Sequence, residues 1–448
     1  MLSFVDCDKI YYMSKLEDIV SLCKRRGFIF PGSDVYGGMA GTWDFGPLGV
    51  MLKRNIMNAW WRFWVDDRDD MYGVDAAIIM NPKTWEASGH VATFADPLVE
   101  CKSCHGRFRA DKLVDGATES ITDEEFLKVN PKCPTCSKQD WSEIRKFNMM
   151  FQTHVGPVTD DSSIAYLRPE TAQGIFTNYK NVVDTIYPNL PFGLAQQGKA
   201  FRNEISPRDF ILRDRECSQM EIEYFVRPDD WEEQFEKMLK EQHYFLEQVI
   251  GLPAAMIHDL EVPAEDRAHY SKRTIDMMFD YPNGEEELMG LAYRTDFDLT
   301  NIQNASGKSM EYRDKVTGES FVPHVIEPSI GVERLFLAVL TAAYQEEDDR
   351  TVLKLPEGLA PYKFCVSPLL KNKPELVEKA KEVYTKLKEK YTFVTWDDSG
   401  NIGKRYKKQD EIGTPKCVVI DFDSLEDDSV TVRDRDTTEQ VRVKIAEL

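Results

Sequence analysis

Apolar positions recur at helical spacing over residues 16–26, which predicts an amphipathic helix, and a glycine-rich stretch over 31–49 follows it. A longer, tryptophan-rich helical pattern runs from about residue 50 to 64. The mostly apolar run Val74-Asp-Ala-Ala-Ile-Ile-Met80 predicts a strand, stopped by Asn81-Pro82. Over 97–147 the period fades into charges and two cysteine pairs, the pattern of an insertion. Strand-like and turn-like segments alternate over 165–225, a helical stretch covers 231–250, and further strands lead to an apolar helix over 332–344. The acidic segment 346–361, with its Pro and Gly, predicts a linker. Beyond it, runs at 363–367, 375–390, 392–396 and 416–421 alternate between strand-like and helix-like, which predicts a separate small α/β domain. The breaks divide the chain into a main unit over 1–96 and 149–345, an insertion over 97–148, a linker over 346–361 and a last unit over 362–448.

Composition narrows the class. With 448 residues, 42% apolar and 30% charged, the chain can bury a sizeable core, and length sets a prior of about three domains. No run reaches the ~18 apolar residues of a membrane span; the longest, 335–344, is too short. The N-terminus has no basic lead and no cleavage pattern, and Asp6 and Asp8 argue against a transit peptide, so a soluble, cytoplasmic protein is expected. The net charge of −21 disfavours coating of nucleic acid by the whole surface, because phosphate neutralisation needs clustered Lys and Arg; a local basic site stays open. Nine cysteines, an odd number in a long chain, argue against a secreted disulfide framework.

Four of those cysteines form two C-x-x-C pairs, Cys101/Cys104 and Cys133/Cys136. Two such knuckles converging on one ion make a closed tetrahedral thiolate site, structural rather than catalytic. Zn²⁺ is the expected ion, with His105 as a spare ligand; reduced free thiols or a redox pair are the rivals. Two other motifs are decoys. Gly193 to Lys199 matches the start of a phosphate loop, but Ala200 stands where a Mg²⁺-binding hydroxyl is required. Tyr12-Met-Ser-Lys15 is a fragment of a nucleotide-loop signature without its partner motif.

The densest chemistry lies over 201–223. Arg202 and Glu204 are two apart, on one face of a strand. A turn with Pro207 and Arg208 follows, then Arg213, Arg215 and a second strand ending in Glu221-Ile-Glu223. Arginines around a short loop suit bidentate phosphate binding. From charges alone, a surface hairpin laced with salt bridges is the favoured reading.

The order of these residues resembles motif 2 of the class II aminoacyl-tRNA synthetases, most closely their dimeric glycyl type. Four further blocks extend the resemblance: Asp44-Phe-Gly-Pro-Leu-Gly49 with the helix after it and Pro82 (motif 1, dimerisation); Leu167-Arg168-Pro169-Glu170-Thr171-Ala-Gln173-Gly174 (the amino-acid loop); Glu287-Leu288-Met-Gly290 with Arg294-Thr-Asp296-Phe-Asp298-Leu299; and Val325-Ile-Glu327-Pro328-Ser329-Ile330-Gly331-Val-Glu333-Arg334 (motif 3). The implied fold is α+β: an antiparallel sheet flanked by helices, with a zinc-knuckle insertion and a C-terminal α/β anticodon-binding domain.

The implied activity is ATP-dependent attachment of glycine to tRNA(Gly) by a homodimer, through a glycyl-adenylate. Glycine's carboxylate, already ionised at pH 7, attacks the α-phosphate, so orientation and charge stabilisation are needed rather than a general base. The resemblance implies that Arg202 bridges α-phosphate and carboxylate, that Arg213 or Arg215 holds outer phosphates, that Arg334 closes over the nucleotide and that Glu204 accepts from the adenine amino group. Arg202, Glu204 and Arg334 are the catalytic set. It places Asn203, Leu212, Asp214, Glu216 and Cys217 along the ATP, with Leu288, Gly331, Val332 and Glu333 facing them. Glu287 and Glu327 are the candidates for Mg²⁺ carried with ATP. Glu170, Glu221 and Glu327 grip the ammonium, and Ser329 crowds the α-carbon. Ser218, Gln219, Met220, Pro328 and Ile330, with Cys217 and Gly331, complete the glycine site, and Arg109 is a further substrate contact.

One departure stands out: family members usually carry Phe at the position of Cys217, where the ring stacks on adenine. Either stacking is reduced here or a neighbour such as Phe210 supplies the face. In the last unit, Lys404-Arg405-Tyr406-Lys407-Lys408 with Ile412-Gly413-Thr414-Pro415 resembles the anticodon-binding domain and implies RNA contact; a solvated helix face is the plainer reading. A class II synthetase for another small amino acid and a non-catalytic, nucleic-acid-binding relative are the alternatives. The completeness of Arg202, Glu204 and Arg334 speaks against the second.

Overall fold

The computed structural model describes residues 7–448 except Glu119, Arg208 and Asp348, with side chains from Leu16 onward. Arg208, the leader reading at residues 1–6 and the side chains of the 12–15 fragment lie outside the described residues.

A seven-stranded sheet carries the main unit. Its strands are β1 (Met71–Gly73), β2 (Phe192–Phe201), β3 (Glu216–Val226), β4 (Ile257–Glu261), β5 (Arg273–Tyr281), β6 (Gly284–Thr295) and β7 (His324–Gly331), in the spatial order β4-β5-β6-β7-β3-β2-β1. Every pair is antiparallel except β1 with β2. Alternation decides which face each residue meets. Met220, Ile222 and Tyr224 of β3, with Ile326 and Ile330 of β7, pack against helices α2 (Pro47–Trp61), α4 (Trp231–Tyr244) and α6 (Val332–Ala343). On the opposite face Phe192, Phe225 and Val325 form an aromatic-rich cluster with α3 (Ala172–Ile186) and α5 (Phe297–Ser306).

The helices follow their periodicity. In α2, Leu48, Leu52, Ile56 and Trp60 are buried at four-residue intervals. It begins earlier than its pattern, because Pro47 at the first turn lacks only an N–H that would go unpaired there. The first helix, α1, spans Cys7–Arg26 and carries Lys24, Arg25 and Arg26 in its last turn, favourable to the helix dipole.

Two expectations are corrected. The strand read over 74–80 lies at Met71–Gly73 instead, and the apolar run leaves the sheet after the Val74 N–H meets the Ala195 carbonyl. Arg168 takes the Ala76 carbonyl at 2.8 Å, and only Ile79 makes a bridge, to Leu167. Side chains thus supply the bonds a ladder would have made. The segment read as a linker over 346–361 is ordered: Tyr344–Glu347 and Arg350–Leu353 form a hairpin, and Leu353, Leu355, Leu359 and Ala360 are buried. Its acidic composition conceals that apolar series.

After the hairpin, β8 (Phe364–Pro368), α7 (Pro374–Lys390), β9 (Val394–Trp396), α8 (Ile402–Ile412), β10 (Lys416–Ile420), β11 (Ser429–Asp434) and β12 (Gln440–Lys444) build a five-stranded sheet ordered β9-β8-β10-β11-β12. Its first three strands are parallel and the last two antiparallel. Arg350 of the hairpin donates to Asp410 at 3.0 Å and to the Arg435 carbonyl at 2.7 Å, tying the two units together. The insertion has a core of its own, in which Val99, Ala110, Phe126 and Trp141 surround Cys101 and Cys133.

Candidate active site

Along β3 and β7 the inner face changes character step by step. Phe225 and Val325 belong to the aromatic cluster; Glu223, Glu221 and Glu327 come next; Gln219, Cys217, Ser329 and Gly331 reach open space. Two cavities result. The outer cleft, about 440 Å³, brings together Arg109, Arg202, Glu204, Leu212, Arg213, Asp214 and Cys217 with Glu287, Leu288, Gly331, Glu333 and Arg334. The inner cavity, about 250 Å³, is lined by Glu170, Glu221 and Glu327. Arg202, Gln219, Glu287 and Ser329 line both.

Arg202 sits at that junction. Its Nε donates to the Pro169 carbonyl at 3.1 Å, and its guanidinium lies 5.6 Å from the Phe94 ring centre. The neighbouring Arg168 is buried and donates to the Lys199 carbonyl at 2.7 Å. It passes so close to Gly198 that a Cβ there would stand 2.2 Å from a guanidinium nitrogen. A glycine at 198 therefore lets Arg168 lock the loop that presents Glu170. Arg109 is fastened to Asp96 at 3.0 Å and to Asp111 at 2.8 Å.

Below the cleft, Glu333 at the start of α6 takes the Lys53 ammonium at 2.6 Å and the Ser218 N–H at 2.8 Å. Burial, then the Glu333 charge, pushes the Asp214 carboxyl up to about 8. Burial likewise raises the Cys217 thiol to about 12, and its Sγ faces the Ala200 carbonyl.

The inner cavity concentrates acid. Glu170 lies 3.3 Å from the His90 ring. Although burial opposes it, the pull of His90, Arg294 and Arg202 brings Glu170 down to about 2. Burial and the charges of Glu327 and Glu170 push Glu221 up to about 8, and the Thr171 hydroxyl donates to it. Arg294 is the buried counter-charge: it forks onto Asp298 at 2.8 and 2.9 Å and reaches Glu327 at 2.6 Å. Such a cavity suits a small cation, and the cleft beside it suits a polyanion.

Several residues expected at the site lie elsewhere. Met220 and Ile330 face the helices in the core, and Pro328 and Val332 are buried outside both cavities, because strand alternation turns 220, 328 and 330 to the far face. Ser218 receives the Lys53 ammonium at 2.9 Å below the cleft. Arg215 turns back onto the Ala40 carbonyl and, at 3.0 Å, the Glu204 carbonyl, which leaves Arg213 as the arginine of this pair at the cleft. Glu216 pairs with Lys199 at 3.0 Å, and the Asn203 N–H meets the Met149 carbonyl. Glu327 is occupied by Arg294 in the inner cavity, whereas Glu287, half-exposed, pairs with Arg334 at the outer cleft. Phe210 is an edge-on partner of Trp43 beside a separate groove and lines neither cavity.

Sequence reading missed Phe94, Lys112, Met149 and Ile211 of the cleft and Tyr270, Thr274 and Asp276 of the inner cavity. Lys112 follows Arg109 by three residues and Ile211 lies inside the 201–223 stretch; the others carried no motif.

The four expected thiols converge. Cys101, Cys104, Cys133 and Cys136 have all sulfurs within 4.8 Å of one another, with Cys101–Cys136 and Cys104–Cys133 both at 3.6 Å. A tetrahedron with Zn–S of about 2.3 Å has edges of about 3.8 Å, so the donor set fits Zn²⁺. His105 points away to Glu100 at 3.1 Å and is no fifth candidate.

The basic run of α8 is largely engaged within the protein. Arg405 is buried and donates to the Pro368, Asp398 and Gly400 carbonyls, Lys408 pairs with Asp397 at 3.0 Å, and Lys407 reaches the Asp349 carbonyl. Arg405 is thus a structural residue, not an RNA contact.

Comparison with known proteins agrees with this architecture. Residues 155–344 match the class II tRNA synthetase core domain (G, H, P, S and T), and 363–448 match an anticodon binding domain. A glycine–tRNA ligase of Malacoplasma penetrans is 48% identical over 446 residues, covering 96% of each chain. One from Alkaliphilus oremlandii is 47% identical over 454 residues, covering 97% of this chain and 96% of its own. Among solved structures, a prolyl-tRNA synthetase from Cryptosporidium parvum superposes with a TM-score of 0.66 at 14% identity, over 96% of this chain and 73% of that one, a likeness of fold.

Proposed function

The chain belongs to the glycine–tRNA ligases of the class II synthetases, and from that membership we propose how its cleft activates glycine with ATP and passes the glycyl group to tRNA(Gly). The observation that carries the assignment of roles is the position of Arg202 on the boundary of an acidic cavity and a basic cleft. Glycine enters the inner cavity with its ammonium toward Glu170, Glu221 and Glu327, and Ser329 excludes a side chain. Its carboxylate then faces Arg202, in line with the α-phosphate of ATP. Arg202 neutralises both anions as the bond to phosphorus forms and pyrophosphate leaves. Arg213 holds the outer phosphates, Glu204 accepts from the adenine amino group, and Arg334 covers the base.

Mg²⁺ carried by ATP would be held by Glu287 and would screen the phosphate charges. Zn²⁺ held by the four cysteines would stabilise the insertion that presents Arg109. We place the enzyme in the cytoplasm, where translation consumes its product, and read the chain as one half of a homodimer. Exposed Phe30, Val35, Tyr36 and Met39 beside the motif 1 block support a partner surface. The unit over 362–448 reads the anticodon.

Glycine-dependent ATP–pyrophosphate exchange, measured across the twenty amino acids, tests the proposal. Exchange with glycine and not with alanine or serine is expected. Equal exchange with alanine would overturn the glycine assignment.

A further inference from the structure

Glu223 is completely buried, and neither carboxyl oxygen receives a hydrogen bond from an N–H or O–H group among the described residues. It stands two residues beyond Glu221 on the inner face of β3. The pairs Glu221–Ser329 and Tyr224–Ile326 bracket it and set it opposite Glu327 of β7. Phe225, the next residue on that face, already belongs to the aromatic cluster. Glu223 lines neither cavity and stands behind Glu221, between the inner cavity and the core.

The charges facing it come from every element around it: Glu221 on its own strand, Glu327 on β7, Arg294 on β6 and Asp298 on α5. Glu170, with His90 behind it, joins the same cluster through Glu221 and Glu327. Four carboxyl groups besides Glu223 therefore share one buried guanidinium, and Arg294 already gives its nitrogens to Asp298 and Glu327. An ionised Glu223 would be an unpaired buried charge, which proteins avoid by taking up a proton. Burial, and then the Glu327 charge, hold that proton well above the usual carboxylate range. Once protonated, Glu223 is a donor, and the Glu327 carboxylate that the strand register sets opposite it is the acceptor.

We propose that Glu223 is a positioning residue for amino-acid recognition: a protonated carboxyl that donates to Glu327 and, with Arg294 on the other side, holds that carboxylate in the orientation that receives the ammonium of glycine. The proposal rests on the glycine-activating reading above. It implies a substitution pattern opposite to that of an ammonium ligand, in which a neutral donor is tolerated and loss of the donor is not.

Pyrophosphate exchange in the full-length Glu223→Gln and Glu223→Leu variants tests it. The amide keeps a donor, so Glu223→Gln retains a KM for glycine within about twofold of wild type. Glu223→Leu leaves Glu327 short of a hydrogen bond, and its glycine KM rises about tenfold while the ATP KM stays within about twofold. A tenfold loss in Glu223→Gln would mean that Glu223 acts as a negative charge, and would overturn the proposal. A wild-type glycine KM in Glu223→Leu would overturn it as well. Should the leucine variant not fold, the infrared band of a protonated carboxylic acid decides: it weakens in Glu223→Gln, and an unchanged band refutes the proposal. Wild-type protein without glycine-dependent exchange would instead overturn the glycine assignment, and the infrared band would still report the proton on Glu223.

Discussion

One nitrogen of Arg334 donates to both the carboxylate of Glu287, at 2.9 Å, and its main-chain carbonyl, at 2.6 Å. The cation from α6 and the anion from β6 are thereby tied across one end of the outer cleft. The Tyr281 hydroxyl fixes the same arginine from behind through its carbonyl, at 3.0 Å. A guanidinium held this way offers a flat, preset face to a base. Arg202, anchored to the Pro169 carbonyl at the junction of the two cavities, is set for charge rather than for stacking.

Arg202→Ala is therefore expected to lower the rate of glycyl-adenylate formation by ~10²–10³, the usual cost of losing one preorganised contact to developing charge. Single-turnover adenylation measures it. A loss below tenfold would remove Arg202 from the α-phosphate.

Purified protein is expected to carry about one Zn²⁺ per chain, lost in Cys101→Ser and Cys133→Ser, with elemental analysis as the measurement. Chelation should expose the insertion around Phe126 and Trp141 to proteolysis before the central sheet opens, because the thiolates sit inside that small core. Freshly prepared, unchelated protein without zinc would retire the site.

Cys217→Phe is expected to tighten ATP binding several-fold and leave the glycine KM nearly unchanged. Cys217 lines the cleft, and Phe210 is turned away toward Trp43, so a base bound there would find no aromatic face on this strand. Base–aromatic stacking is worth ~1–3 kcal/mol. A weaker ATP interaction would mean that the ring overpacks the site, which costs about as much.

Asp214 makes stability depend on pH in a stated direction. The unfolded chain releases this proton near 3.9, whereas the folded protein keeps it up to about 8. Between those values the folded state binds more protons, so this group's contribution falls as pH rises from about 4 to about 8. Asp214→Asn removes the slope. The variant is expected to gain roughly 1–3 kcal/mol over wild type at pH 8 and almost nothing at pH 4.5. Thermal melts at the two pH values compare them; equal shifts at both would disprove the assignment.

Residue type and order alone determined a good deal. The five blocks identified the family, the two cysteine pairs indicated a metal site, and the spacing of Leu52, Ile56 and Trp60 defined a helix whatever its surroundings. Such features are local, and they survive without knowledge of what packs against them. Tertiary structure decided what depends on partners distant in sequence. An apolar run over 74–80 fits a strand equally well until Arg168, some ninety residues on, takes its carbonyl. Arg405 reads as basic surface until the Pro368, Asp398 and Gly400 carbonyls close around it. Of the adjacent Ser329 and Ile330, one faces the inner cavity and the other the core, because β7 has opposite environments on its two faces. Glu221 and Glu223 have the same chemistry and the same side of a strand. Only the fold places one in the cavity wall and the other behind it, where burial without a donor makes it keep its proton.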